Sequence, residues 1–131
     1  MAPTFSAIGM VVADMTKTID FYRRLGLDFP AGSETEGHVE TKASGIRLMF
    51  DTYEVIRSFD PDFTPHREGG PHLAFHCADP AEVDGVFAAL VEAGAEAEMP
   101  PWDADWGQRY AVVKDLDGYG IDLFAWITTP A

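Results

Sequence analysis

The chain has 131 residues, and its composition limits the class of protein to which it can belong. A hydrophobic fraction of 47% with 12 Gly and 9 Pro is ordinary for a globular protein, and the length suits one domain with a buried core. The 9 Lys and Arg are outnumbered by 22 Asp and Glu, which gives a formal net charge of −13 that repels nucleic acid. No apolar run approaches the roughly 20 residues that a membrane span needs. We therefore expect neither a nucleic-acid-binding protein nor a membrane protein.

The acidic charge and the single cysteine each have a simple interpretation. The charge would attract a cationic ligand, but scattered carboxylates more often form a solvated surface, which is the interpretation we favour. Cys77 has no second cysteine to pair with and lies in an apolar run, so a buried thiol is expected. Residues 1–6 lack the basic flank and apolar stretch of a secretory signal, which predicts a cytoplasmic protein.

The first half of the chain, about residues 5–59, reads as a strand and a helix followed by further strands. The apolar segment Phe5–Val12 predicts a strand, and Asp14 is a good N-cap for a helix that ends near Leu25, because Gly26 suits the left-handed position after a helix. Three more strands are predicted, at about Leu27–Pro30, His38–Lys42 and Ile46–Asp51, with Tyr53–Phe59 as an extension of the sheet.

The second half, about residues 71–128, repeats this order after a Pro- and Gly-rich linker at about 60–70. A strand at His72–Cys77 precedes the helix signature Asp79, Pro80 and Glu82, and the amphipathic helix that follows ends at Gly94. Further strands are predicted at about Ala95–Met99, Gln108–Lys114 and Gly120–Ile127, with a turn at 115–118 between the last two. The two caps lie 65 residues apart, which indicates a weak internal duplication by pattern.

Three motifs in this order and spacing resemble the glyoxalase, bleomycin-resistance and extradiol-dioxygenase superfamily, also called vicinal oxygen chelate proteins. They are Ile19–Tyr22 leading to Leu25–Leu27, then Pro71–Phe75, and finally Asp115–Leu123. The resemblance covers nearly the whole chain. It implies an α+β fold in which two βαβββ modules form curved mixed sheets around a ligand cavity. It also implies a homodimer in which modules of two chains are paired.

The resemblance also implies where a divalent metal would be held, since metalloenzymes of this superfamily place one ligand on the first and last strand of each module. The matching positions here are Ala7, Arg47, His72 and Asp122. Ala7 and Arg47 cannot bind a metal, and a catalytic site normally takes three or more protein ligands. His76, His38 and Glu40 could be recruited in their place. We expect no metal and no cofactor.

Strand alternation predicts which side chains face the ligand. The inward set combines large aromatic rings with a few polar groups, as sites for bulky aromatic compounds do. Trp102 and Trp106 are predicted on a loop led by Pro100 and Pro101, where they either stack on a ligand or cover a sheet edge or dimer contact. The candidate ligand-binding residues are Arg47, Met49, His72, His76, Trp102, Trp106, Tyr110, Asp122, Phe124 and Trp126.

Two functions are consistent with these residues. The first is a metal-free binding protein that sequesters a bulky, partly aromatic natural product, as in antibiotic resistance. The second is a lyase, isomerase or dioxygenase, with or without a metal, in which His72 is the general base and Asp122 or Arg47 polarises an oxygen. For His72 the simpler alternative is a hydrogen-bonded histidine without a chemical role.

Overall fold

A computed structural model describes residues 2, 4–65 and 70–127 and has a mixed α+β architecture. The chain forms two compact units, Met1–Pro65 and His66–Ala131, and the division between them falls inside the predicted linker. Residues 66–69 of that linker and residue 128 of the second module lie outside the described residues. Among the described residues, no helix combines the length and apolar character needed to cross a membrane.

The first unit is a three-stranded sheet with helices that follow β1 and β3. Its elements are β1 (Ile8–Val12), α1 (Met15–Arg23), a 3-10 turn (Ser33–Thr35), β2 (His38–Ala43), β3 (Ile46–Thr52) and α2 (Tyr53–Arg57). The strand order is β1-β3-β2, with β1 parallel and β2 antiparallel to β3. β3 is therefore the central strand of this sheet.

Helix α1 forms where the sequence predicts it. The Asp14 carboxylate accepts a hydrogen bond from the backbone N–H of Lys17 at 3.0 Å, which caps the first turn. The helix ends at Arg23, two residues before the predicted end, and Gly26 has the expected positive φ of 86°. Tyr22 is buried on its inner face and packs against Phe50 of β3 with ring centroids 5.2 Å apart.

Two predicted strands of the first unit are wrong. Leu27–Pro30 is not a strand: Leu27 and Phe29 are buried as core anchors, while Pro30 has no N–H for a ladder. Tyr53–Phe59 does not extend the sheet, because the Thr52 hydroxyl accepts from the N–H of Val55 and starts helix α2. The first unit consequently has one strand fewer than a βαβββ module.

The β2–β3 hairpin turns at Ser44 and Gly45, whose φ values of 52° and 84° are those of a two-residue hairpin turn. Strand alternation predicts that Ile46, Leu48 and Phe50 pack on the helix side of β3, but Ile46 follows the turn directly and is 50% exposed. Leu48 and Phe50 on the same strand are buried as predicted.

The second unit contains the full βαβββ order. Its elements are β4 (His72–His76), α3 (Pro80–Glu92), β5 (Glu96–Ala104), β6 (Gln108–Lys114) and β7 (Gly120–Trp126). The sheet order is β4-β7-β6-β5, with β4 parallel to β7 and the other pairs antiparallel. In the turn before β7, the Asp115 carboxylate accepts from the N–H groups of Asp117 and Tyr119, both at 2.9 Å.

Helix α3 begins with the predicted capping box. Asp79 accepts from the N–H of Glu82 at 2.8 Å, and the Glu82 carboxylate accepts from the N–H of Ala78 at 3.1 Å. Val83 and Leu90 are fully buried against the sheet. The helical spacing of the apolar residues predicts Val91 on the same face, but it is 36% exposed, so the buried face of α3 is narrower than the sequence predicts.

Strand β5 is longer than predicted and replaces most of the expected loop. It continues through Pro100 and Pro101 to Ala104, which places Trp102 on the strand and leaves only 105–107 as a turn. Two prolines are tolerated because β5 is an edge strand, and its register shifts between Ala97 and Trp102 absorb the missing N–H groups. The predicted Pro-led loop carrying both tryptophans is therefore wrong for Trp102.

Candidate functional site

The second sheet has one face against α3 and one open face, and strand β7 shows how the sequence divides between them. Ile121, Leu123 and Ala125 are fully buried on the α3 side. Asp122 and Phe124 alternate with them and are half-buried on the opposite face, as predicted. The face opposite α3, called the open face below, therefore carries the candidate site.

A row of aromatic rings crosses all four strands on the open face. Strand pairing places Trp102 opposite Tyr110, Tyr110 opposite Phe124, and Phe124 opposite His76. His76 and Phe124 stack with centroids 5.1 Å apart and an interplanar angle of 20°, and Phe124 and Tyr110 stack at 6.3 Å and 21°. Trp102 meets Tyr110 edge-on at 5.5 Å. We call these four residues the ring row.

The ring row leaves different parts of each ring accessible. Since β7 lies between β4 and β6, both faces of the Phe124 ring are covered, by His76 and by Tyr110. Trp106 joins the β5 end, where it contacts Trp102 at 6.2 Å and Tyr110 at 5.5 Å, and it is 57% exposed. Its Nε1–H donates to Gln108 Oε1 at 2.7 Å, which fixes the indole orientation. A ligand therefore meets ring edges at the centre and an open indole at one end.

Three polar side chains stand beside the ring row. The His72 Nδ1–H donates to Asp122 Oδ1 at 2.6 Å, and the Tyr110 hydroxyl donates to Asp122 Oδ2 in a short hydrogen bond. Burial raises the pKa of Tyr110 to about 12, and the hydrogen bond to Asp122 adds to this effect. Tyr110 is thus held as a neutral donor to the carboxylate. Tyr110 therefore belongs both to the ring row and to this polar group.

The first sheet carries charged side chains on its corresponding face. Arg47 Nε donates to Glu40 at 2.6 Å, and Arg47 also donates to Ser6 and to the Met49 sulfur. His38 lies between two carboxylates, with Nε2 2.7 Å from Glu40 and Nδ1 2.6 Å from Asp51. Because carboxylates only accept, both ring nitrogens of His38 carry hydrogen, which is the protonated ring. We call the set Arg47, Glu40, His38 and Asp51 the ion-pair chain.

The ion-pair chain shifts the pKa values of its members. The hydrogen bond from Arg47, with a smaller one from His38, lowers the pKa of Glu40 to about 2. The pKa of His38 is raised, first by its hydrogen bond to Glu40 and then by that to Asp51. The Arg47 guanidinium is therefore already hydrogen-bonded to side chains of its own unit.

The donor set does not fit the metal that the resemblance implies. Gly9 and Ala74 both lie five residues before their helix caps, and they pair with Met49 and Asp122 respectively. By strand register, the residue of the first unit that corresponds to Asp122 is therefore Met49. It lies two residues after Arg47, the position that the resemblance implies. Neither Arg47 nor the Met49 thioether suits a hard divalent ion, and Ala7 has no donor atom. In the part of the chain that the structure describes, no three His, Cys, Asp or Glu side chains are arranged to hold a metal.

The second unit brings together most of the predicted ligand-binding residues. His72, His76, Trp102, Trp106, Tyr110, Asp122 and Phe124 meet through the contacts above, and Trp126 follows on the same strand face at 41% exposure. Arg47 and Met49 belong to the first unit. Sequence reasoning missed Gln108, which orients Trp106, and Gly120, which directly faces His72. Alternation along β6 and β7 would have placed both beside the site.

Comparison with known proteins supports the fold in detail. No curated protein matches the sequence. Hypothetical protein SA1046 from S. aureus is similar in structure with a TM-score of 0.79 at 17% identity, over 95% of each chain. A glyoxalase/bleomycin resistance protein/dioxygenase from Nocardioides has a TM-score of 0.72 at 22% identity, over 99% of this chain and 87% of that one.

A protein of stated activity shares the same fold. A variant of the fosfomycin resistance protein FosX from Listeria monocytogenes, in complex with Mn(II) and a dihydroxypropylphosphonic acid, has a TM-score of 0.66 at 20% identity, over 98% of this chain and 93% of that one. The family model of the Glyoxalase/Bleomycin resistance protein/Dioxygenase superfamily matches residues 4–123. The chain belongs to this superfamily.

Proposed function

We propose that the protein binds a bulky, partly aromatic small molecule on the open face of the second sheet and holds it without chemical change. The ring row is the observation that carries this proposal. Four rings from four strands lie in one register row, although any one of them would be ordinary alone. Aromatic pairs add roughly 0.5–1.5 kcal/mol each beyond burial, so several contacts with one flat ligand amount to useful affinity.

The rings support binding because they are ordered before any ligand arrives. His76, Phe124 and Tyr110 stack on one another, and the Gln108 side chain holds Trp106 in place. A ligand then has few side chains to immobilise, which removes part of the entropic cost of association. The edges of the stacked rings carry partial positive charge, so they favour the electron-rich face of an aromatic ligand.

The wider context of the proposal is resistance by sequestration. The superfamily includes resistance proteins as well as enzymes, and FosX is a neighbour in fold. We propose that this chain acts in the cytoplasm as a homodimer that withdraws a toxic aromatic compound from solution. Sedimentation of the purified protein as a monomer at micromolar concentration would contradict the dimer.

Tryptophan fluorescence provides the direct test, since all 3 Trp lie in the second half of the chain. A panel of naphthalene, quinoline and anthraquinone derivatives is titrated into the protein, and the bound compound is then extracted and analysed by mass. We expect saturable quenching at one compound per chain and recovery of the compound unchanged. The variant Phe124→Leu should weaken binding at least tenfold. The control Phe59→Leu removes a 72% exposed ring of the first unit and should leave the affinity unchanged.

A second candidate function is favoured by the 2.6 Å bond between His72 and Asp122. A carboxylate that orients a histidine is the arrangement of a general base, and a metal-free lyase or isomerase would use it on a bound substrate. Recovery of a chemically altered compound would reject sequestration and select this function. His72→Ala should then abolish turnover while the compound still binds.

A further inference from the structure

The hydrogen bonds around Asp122 determine which atom of His72 is left for a ligand. Both Asp122 oxygens already accept from inside the protein, one from His72 Nδ1 and one from the Tyr110 hydroxyl. The Asp122 side chain is only 17% exposed, whereas that of His72 is 53% exposed. Asp122 therefore orients its neighbours and does not itself face a ligand.

The ring of His72 presents an acceptor to the solvent. In the neutral imidazole one nitrogen donates and the other accepts. When the ring is neutral and Nδ1 donates to the carboxylate, Nε2 is the acceptor, and within the described residues it has no hydrogen-bond partner. The open face thus offers an oriented acceptor at the exposed His72 side chain beside the ring row.

Gly120 makes this orientation of His72 possible. The two residues are direct partners in the β4–β7 pairing, and a Cβ at position 120 would lie 2.5 Å from the Nδ1 and Cε1 atoms of the imidazole. The ring therefore lies against the glycine backbone, where only hydrogen leaves room. Any larger side chain at 120 would push the imidazole away from Asp122.

The acceptor lies within reach of a ligand that contacts the rings. The Asp122 carboxylate that orients His72 lies two residues, about 7 Å, before Phe124 on the same strand face, and His72 itself lies opposite Gly120, two residues further from Phe124. Tyr110 connects the two regions, because its ring stacks on Phe124 while its hydroxyl donates to Asp122. A fused-ring ligand that lies against the Tyr110 side chain can therefore extend from the ring row towards His72.

Resting on the proposed function, we infer that the ligand is an aromatic compound bearing a phenol-type hydroxyl, which donates its hydrogen bond to His72 Nε2. Tyr110 and Gly120 are positioning residues that act through Asp122 and through the imidazole. The preference is for a donor: a ligand that offers only an acceptor at this point leaves Nε2 unpaired.

Two probes of the same ring system test the inference: 2-naphthol, which donates, and 2-methoxynaphthalene, in which a methyl group replaces the hydroxyl hydrogen and which cannot donate. Their dissociation constants are measured by equilibrium dialysis at one fixed pH. We expect the wild-type protein to bind 2-naphthol several-fold to about tenfold more tightly, the ratio that one net hydrogen bond gives. His72→Ala should remove this preference, so that the ratio of the two dissociation constants falls to about one.

Two further variants separate positioning from packing. Tyr110→Phe keeps the stacked ring and removes the hydroxyl, so the ratio of the two dissociation constants should fall about threefold. Gly120→Ala should also abolish the preference. Its matched control is Gly85→Ala on α3, where an added Cβ meets nothing within 4 Å and the ratio should not change.

The possible failures are distinguishable. Equal affinity of the wild type for both probes, or a ratio that survives in His72→Ala, would overturn the inference and leave the proposed function standing. Binding of neither probe would overturn the proposed function and the inference with it.

Discussion

The corresponding faces of the two sheets have different chemistry although the units repeat the same order of elements. The first sheet carries the ion-pair chain, in which the charged groups of His38, Glu40, Arg47 and Asp51 satisfy one another. The second carries the ring row, whose members are half-buried or exposed and which has an acceptor beside it. The charged groups of the first face already bind one another and offer little to a ligand, while the second face combines apolar contact with the acceptor at His72.

Register allows this comparison to be made residue by residue. Val11 and His76 both lie three residues before their helix caps, and they pair with Asp51 and Phe124. The central ring of the second face thus corresponds to the carboxylate that holds His38 in the first. Substituting Phe124 and Asp51 separately therefore tests how much each face contributes to the stability of the protein.

The largest expected effect is on stability at this matched pair. Phe124→Ala removes a half-buried ring that stacks on two neighbours, and we expect a loss of about 2 kcal/mol, below the 3–5 kcal/mol typical of a fully buried Phe. Asp51→Ala leaves His38 its bond to Glu40, so a loss of about 0.5–1 kcal/mol is expected. Urea unfolding followed by circular dichroism measures both, and equal losses would contradict the comparison.

Local sequence rules predicted most of the second unit. The cap at Asp79, the alternation along β7 and the turn at 115–118 depend on neighbouring residues, and each is present. The rules failed where tertiary contacts decided the outcome. Leu27 and Phe29 are buried in the core although they are not in a strand. The two prolines in β5 predict a loop, because a sequence does not show that a strand lies at the edge of a sheet.

Pairing between side chains was also out of reach of the sequence. The sequence suggests His38 and Glu40 only as spare metal ligands, yet they bind each other, and Glu40 also binds Arg47. Alternation placed Tyr110 and Asp122 on one face but could not show that the phenol holds the carboxylate. Such contacts depend on strand register, which local patterns do not determine.

A smaller effect is expected on the acid titration of the first face. Arg47→Met removes the main cause of the low pKa of Glu40, which should rise from about 2 towards its usual value near 4.5. Carbon NMR of the carboxylate measures this change. The control Lys42→Met removes one positive charge from the strand that carries Glu40 and should leave the pKa near 2. If Arg47→Met also leaves it there, Arg47 is not the cause.

The lowered pKa of Glu40 also determines how the stability of the protein changes with pH. A carboxyl group whose pKa is depressed on folding stabilises the folded state above its unfolded pKa, and this stabilisation is lost as the pH falls through its folded pKa. For Glu40 that window extends from about 4.5 down to about 2. In Arg47→Met the folded-state pKa of Glu40 should lie closer to 4.5. The variant should therefore lose less stability than the wild type as the pH falls from about 4.5 to about 2.

The smallest effect is expected at His38, whose ring is held as a cation by Glu40 and Asp51. Its pKa is raised above 6.5, so its stabilisation is fully present below pH 6.5 and is lost as the pH rises through the folded pKa. The side chain is 45% exposed, which limits the contribution to below about 1 kcal/mol. His38→Gln should therefore be less stable than the wild type at pH 6 and nearly equal to it at high pH, as measured by urea midpoints. A proton NMR titration that places the pKa of His38 at or below 6.5 would show that the carboxylates do not hold the cation, and the contrast between the two faces would then rest on Arg47 and Glu40 alone.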